Sequence, residues 1–112
     1  MHLADYQRRA VETAIYGSGD FVNYPILGLV GEAGELANKY KKVLRDDKGV
    51  LSAEKRLDLI SELGDVMWYC AALARDLNIG LDEVAEINLK KLQHRKQSGT
   101  ITGSGDNRWS LE

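Results

Sequence analysis

A single proline, Pro25, stands among 112 residues, and runs of β-branched residues are few. A backbone so rarely interrupted, with apolar residues recurring at three- and four-residue intervals, is built for helices rather than sheet. The breakers divide it into four segments. The first helix is predicted from Leu3 to about Ile15, where "YGSGD" ends it. The second carries Pro25 in its first turn, with Asn23 or Tyr24 near the N-cap, and runs to about Arg45 before "DDKG". Ser52 is the expected N-cap of the third, which lines Ile60, Leu63, Met67, Cys70, Ala71 and Ala74 along one broad side and stops at "LNIG". The fourth starts near Leu81, where Asp82 and Glu83 suit the positive end of the helix dipole, and reaches about Gln97. Short connections favour antiparallel neighbours. The expectation is an all-α antiparallel bundle of four main helices, one domain over 1–112 with a Gly/Ser-rich tail at 98–112.

Composition excludes several classes of function. The net charge of -2 offers no global basic field, so no nucleic-acid polymer is expected as partner. Cys70 is the one cysteine and has no intrachain disulfide partner, which points to a reduced, cytoplasmic setting. No window approaches the ~20 apolar residues of a membrane span, and the first ten residues lack the apolar run of a secretory signal.

Against this background two acidic pairs stand out. "GEAGELANKY" holds Glu32 and Glu35, and "SELGDVMWYC" holds Glu62 and Asp65. Residues at i and i+3 share a helix face, and Asp58 extends the second stripe from i-4 of Glu62. Like charges so placed repel, increasingly as water is lost. Neither Glu62 nor Asp65 has a basic residue three or four positions away on its own helix. Two readings remain open. Glu35 has Lys39 at i+4 and Lys42 at i+7, which fits an exposed salt-bridged face. Apolar Leu36 and Val66 crowd Glu32 and Glu62 at i+4, which fits a metal site instead. Should these acids hold an ion, the oxygen-only set favours Mg²⁺ or Mn²⁺ over iron or zinc, since neither pair includes a histidine and only His2 and His94 exist.

On the fourth helix Asn88, Lys91 and Arg95 fall on one face at i, i+3 and i+7. Such a ladder either solvates the helix or neutralises phosphate oxygens. No Walker loop or GxGxxG is present, so phosphate would have to be held by side chains and metal. Tyr69, four residues after Asp65, could line a base pocket, but core or interface packing is the favoured reading for it as for Trp68. Tyr6, Gln7 and Tyr24 are weaker candidates for base or sugar contact. Cys70 lacks an activating environment and reads as a small core residue.

The stretches "GLVGEAGELANKYKK", "ELGDVMWYCAALA" and "VAEINLKKLQHR", followed by a tail containing "GDNR", resemble the MazG-like all-α nucleoside triphosphate pyrophosphohydrolases. The family signature ExxE…ExxD is matched by Glu32, Glu35, Glu62 and Asp65 with 26 intervening residues, 36–61. The resemblance covers about Leu3 to Arg108. It implies Mg²⁺-dependent hydrolysis of a (deoxy)nucleoside triphosphate between the α and β phosphorus atoms, giving a monophosphate and pyrophosphate. It further implies that the four acids bind Mg²⁺, with Mn²⁺ as substitute, and that Glu35 polarises the attacking water. Asn88, Lys91 and Arg95 would contact sugar or phosphate, and Arg108, beside Asp106 and Asn107, a phosphate in a neighbouring site. Assembly as a homodimer or homotetramer is implied as well. The alternative is a non-catalytic helical module that binds nucleotide or a partner; a carboxylate-bridged redox protein is disfavoured by the missing histidines.

Overall fold

The computed structural model describes residues 1–99; the tail positions expected to matter, Asp106, Asn107 and Arg108, lie outside the described residues. The described residues are all-helical: α1 (Leu3–Val11), a short 3-10 turn (Ser18–Asp20), α2 (Asn23–Asp47), α3 (Ala53–Asp76) and α4 (Leu81–Ser98).

α2 and α3 form a long antiparallel hairpin. Contacts pair residues that climb one helix while descending the other: Asp47 with Lys55, Lys39 with Glu62, Gly28 with Tyr69, and Val22 with Asp76. Their hinge is built from turn chemistry. Lys48 and Gly49 adopt left-handed backbone, and Gly49 N–H donates to Val43 C=O at 3.2 Å, closing α2. Ser52 Oγ then accepts from Lys55 N–H at 3.2 Å, as an N-cap should. α1 packs on α3, and α4 packs on both α1 and α3.

α1 ends at Val11, four residues short of the expected Ile15. The Ala10 carbonyl is the cause. It accepts from Thr13 N–H at 3.0 Å, Thr13 Oγ1 at 2.7 Å and Trp68 Nε1 at 3.1 Å, which tightens the turn and leaves no place for an α-helical donor. The start of α2 differs too. Its N-cap is Val22, not Asn23 or Tyr24, and it sits at φ 71°. A β-branched residue there is strained, and the conformation is held by Val22 N–H donating to Asp76 Oδ2 at 3.0 Å.

Gln7 is a strap rather than a base contact. Its Nε2 donates to Ile79 C=O at 3.1 Å and Ala71 C=O at 3.4 Å, and its Oε1 accepts from Leu81 N–H at 2.9 Å. It thereby caps α4, whose own N-cap Gly80 has no side chain to do so. The buried apolar side chains are small: Ala10, Pro25, Val43, Ala71, Ala72 and Ala74. Ile60, Leu63 and Met67, expected on the inner side of α3 with Ala71 and Ala74, remain exposed. So do Leu27 at 72% and Val30 at 68% on α2. The broad apolar side of α3 is therefore only partly covered within the subunit.

Candidate metal centre

The hairpin brings three of the four predicted acids together. Glu32 of α2 and Glu62 and Asp65 of α3 each offer a carboxylate oxygen, all within 4.8 Å of one another. Glu35 stays outside this group; it lies exposed, one turn along α2. The exposed acidic face expected for Glu35 and Lys39 does not form as an i,i+4 pair. Lys39 Nζ instead crosses the hairpin to Glu62 Oε1 at 2.9 Å.

Electrostatics follow the packing. The Glu62 carboxylate, hydrogen-bonded to Glu32, holds the Glu32 carboxyl above its ordinary range, with desolvation and the charges of Asp65 and Glu35 adding to the effect. Glu62 moves the other way because the Lys39 ammonium contacts it, and Lys39 is raised by the same contact. One glutamate oxygen, Glu62 Oε2, is enclosed with no donor aimed at it among the described residues. Three converging carboxylates, with no histidine or cysteine among the converging ligands, fit a hard oxygen-loving cation. Mg²⁺ or Mn²⁺ suits this donor set, and Glu32, Glu62 and Asp65 are the residues that would hold it.

Beside the acids lies a cleft of about 410 Å³, lined by Thr13, Ile15, Tyr16, Tyr24, Trp68 and Tyr69 together with Glu32 and Asp65. Its aromatic wall is continuous. Tyr16 stacks on Tyr24 at 4.6 Å, Tyr24 meets Tyr69 at 6.2 Å, and Trp68 stands edge-on to Tyr69 at 5.0 Å. Gly28 makes the Tyr69 position possible, since a Cβ there would lie 2.1 Å from the Tyr69 ring. Gly31 and Gly34 face open space, so the three glycines of α2 have separate roles: one admits a ring and two leave the surface bare.

The far end of the wall is anchored by Asp76. Its buried carboxylate accepts from Tyr16 Oη at 2.9 Å, Val22 N–H at 3.0 Å and Arg75 Nε at 2.6 Å. Burial pushes the Asp76 carboxyl up, but these three donors together pull it below its ordinary value. Arg75 also lies over the Phe21 ring at 4.4 Å.

The sequence reading treated "YGSGD" as a breaker and missed Tyr16 and the Thr13–Ile15 rim. An available signal was the spacing of Tyr16, Phe21 and Tyr24 around a glycine-rich turn. Tyr69 lines the cleft, and Trp68 both lines it and pins α1. Tyr24 also lies in the wall, whereas Tyr6 is half-buried on α1 and is not among the lining residues. The α4 ladder is elsewhere. Asn88 lines a different cavity with Met67 and Cys70, Lys91 is half-buried, and Arg95 is buried at 6% exposure. Burial pushes the Cys70 thiol up, which keeps it an unreactive packing residue.

The α2–α3 hairpin thus gathers acids from two facing helices beside an aromatic cleft, the arrangement of a candidate metal centre. The comparisons make the class specific: the MazG nucleotide pyrophosphohydrolase domain matches residues 24–100, and the chain belongs to that family. It is also similar to the Gene 37 protein of Mycobacterium phage L5, with 56% identity over 96% of this chain and all of that relative. No solved structure matches it significantly. No described helix is long and apolar enough to cross a membrane.

Proposed function

We propose that the protein hydrolyses (deoxy)nucleoside triphosphates between the α and β phosphorus atoms, releasing a nucleoside monophosphate and pyrophosphate. The observation that carries this reading is the convergence of Glu32, Glu62 and Asp65 at the mouth of an aromatic cleft in a MazG-family chain. Bound at these carboxylates, Mg²⁺, or Mn²⁺ in its place, supplies the positive charge that offsets the phosphate oxygens. Glu32, Glu62 and Asp65 hold the ion. Glu35, exposed one turn away, would accept a proton from the attacking water and so act as its polarising base. Tyr69 and Tyr24 offer ring faces to a base, which stacking favours regardless of its identity.

The cleft takes no lining residue from α4 among the described residues, so Asn88 and Lys91 meet phosphate only if a second subunit presents them. Homodimer or homotetramer formation is supported by the exposed Leu27, Val30, Leu63 and Met67, which a neighbouring copy would cover. Arg95, buried within its own subunit, would then support α4 rather than touch the substrate directly. A cytoplasmic nucleotide pool is the natural substrate source.

The test is a panel of ribo- and deoxynucleoside triphosphates with and without Mg²⁺, resolving mono- from diphosphate and assaying pyrophosphate separately. Monophosphate plus pyrophosphate, dependent on Mg²⁺ and lost in Glu62→Gln, is expected. Diphosphate plus orthophosphate would overturn the bond assignment.

A further inference from the structure

The contact between Lys39 and Glu62 does more than join two helices. Lys39 lies at i+4 from Glu35, where a local pair was expected, yet its ammonium reaches across to the carboxylate at the centre of the acid group. Glu62 keeps 13% of its side-chain exposure and Lys39 36%. A carboxylate so enclosed, flanked by two more acids, needs a positive charge close by. Lys39 provides it at one oxygen, while the other oxygen, Oε2, is enclosed without a donor among the described residues. The pair therefore leaves Glu62 half-compensated.

We propose that Lys39 is a built-in counter-ion that holds the acid cluster together without metal, and that a divalent cation bound at these acids competes with it and releases it from Glu62. The proposal rests on the metal-dependent reading of the site given above. An ammonium at Glu62 Oε1 and a divalent cation at Oε2 repel each other across one carboxylate, so each weakens the hold of the other. A divalent ion brings twice the charge and engages several oxygens at once, so it wins Glu62 when present. Lysine suits such an exchange. Its charge sits on a flexible stem, is readily rehydrated and makes no bidentate grip, unlike an arginine at the same place. A third of the side chain already meets solvent, so the exit is open. Asp58, on the facing helix, and Glu35 are both within electrostatic reach of the ammonium and offer it a resting place once it leaves Glu62. Lys39 is thus a positioning residue that sets the cation affinity of the site.

The experiment titrates Mn²⁺ into the full chain, reading the free-ion electron paramagnetic resonance signal, for wild type, Lys39→Met, Lys39→Arg and Glu62→Gln. Thermal melts of each are taken in chelator and at saturating Mn²⁺. Lys39→Met is expected to bind Mn²⁺ roughly two- to fivefold more tightly, the range that release of a partly exposed ion pair allows. It should melt below wild type in chelator and level with it at saturating Mn²⁺, because the lysine has left Glu62 in the bound form. Lys39→Arg should bind Mn²⁺ more weakly than wild type. Unchanged affinity in Lys39→Met, or melts that fall equally with and without Mn²⁺, would make Lys39 a plain structural pair and overturn the proposal while leaving the pyrophosphohydrolase reading intact. Absence of Mn²⁺ binding in wild type, with and without nucleoside triphosphate, would overturn both.

Discussion

Removal of the Asp76 carboxylate tests how the aromatic wall is held. The group is buried and accepts from Tyr16 Oη, Val22 N–H and Arg75 Nε. Asp76→Ala strands all three donors, and one of them is the backbone N–H that keeps Val22 at φ 71°. Breaking a buried, hydrogen-bonded ion pair by deleting one partner costs about 3–5 kcal/mol. Asp76→Asn is milder. One amide oxygen can still serve Tyr16 and Val22, but the amide NH₂ then faces Arg75, donor against donor, at a cost of about 2 kcal/mol. Since a domain of this size has only about 5–15 kcal/mol in hand, the alanine variant should lie near the edge of folding. Urea denaturation followed by helical circular dichroism measures both.

The pH dependence has a defined sign. The folded pKa of Asp76 lies below its ordinary value of 3.8. Its stabilisation is then fully present above that value and is lost as pH falls through the folded pKa. The gap between wild type and Asp76→Asn should therefore be constant from pH 7 to 5 and shrink below pH 3.8. A gap under 1 kcal/mol at pH 7, or one that grows in acid, would refute the argument that this carboxylate is ionised and carries the wall.

Gly28→Ala and Gly31→Ala should move in opposite directions: the first drives a Cβ into the Tyr69 ring and costs about 1–3 kcal/mol, whereas the second adds about 0.5–1 kcal/mol of helix propensity over open space, both readable as urea midpoints. Gln7→Ala removes the strap to Ile79, Ala71 and Leu81, so a loss of about 1–3 kcal/mol and faster amide exchange at the start of α4 are expected. Mg²⁺ at a hundred times its dissociation constant should raise stability by about 2.7 kcal/mol, reversed by chelator, and calorimetric melts across a Mg²⁺ series would expose any shortfall.

Much of this was legible without coordinates, and for local reasons. Helix periodicity, the Ser52 cap and the "DDKG" and "LNIG" stops depend on residues within four or five positions of each other, so α3 and α4 fall within a residue or so of expectation. The i,i+3 rule put Glu32 beside Glu35 and Glu62 beside Asp65. It could not say which acids meet across helices. That was decided by the register of the α2–α3 hairpin, which gathers Glu32, Glu62 and Asp65 and leaves Glu35 outside. Lys39 illustrates the same limit, since its helical spacing points to Glu35 and its packing delivers it to Glu62.

The departures share a physical cause. α1 stops early because Trp68, 58 positions away in the chain, takes the Ala10 carbonyl. Val22 accepts a strained cap because Asp76, 54 positions away, binds its N–H. Gln7 spends both amide donors and an acceptor on backbone groups of α3, the α3–α4 turn and the start of α4. The chain by itself determined that there would be helices, where most of them begin and end, and that two carboxylate pairs would ride on them, because those outcomes follow from short-range backbone geometry. Tertiary structure alone decided which carboxylates converge, which lysine neutralises them and that four aromatic rings wall a cleft beside them, because contacts between distant residues depend on how the helices pack.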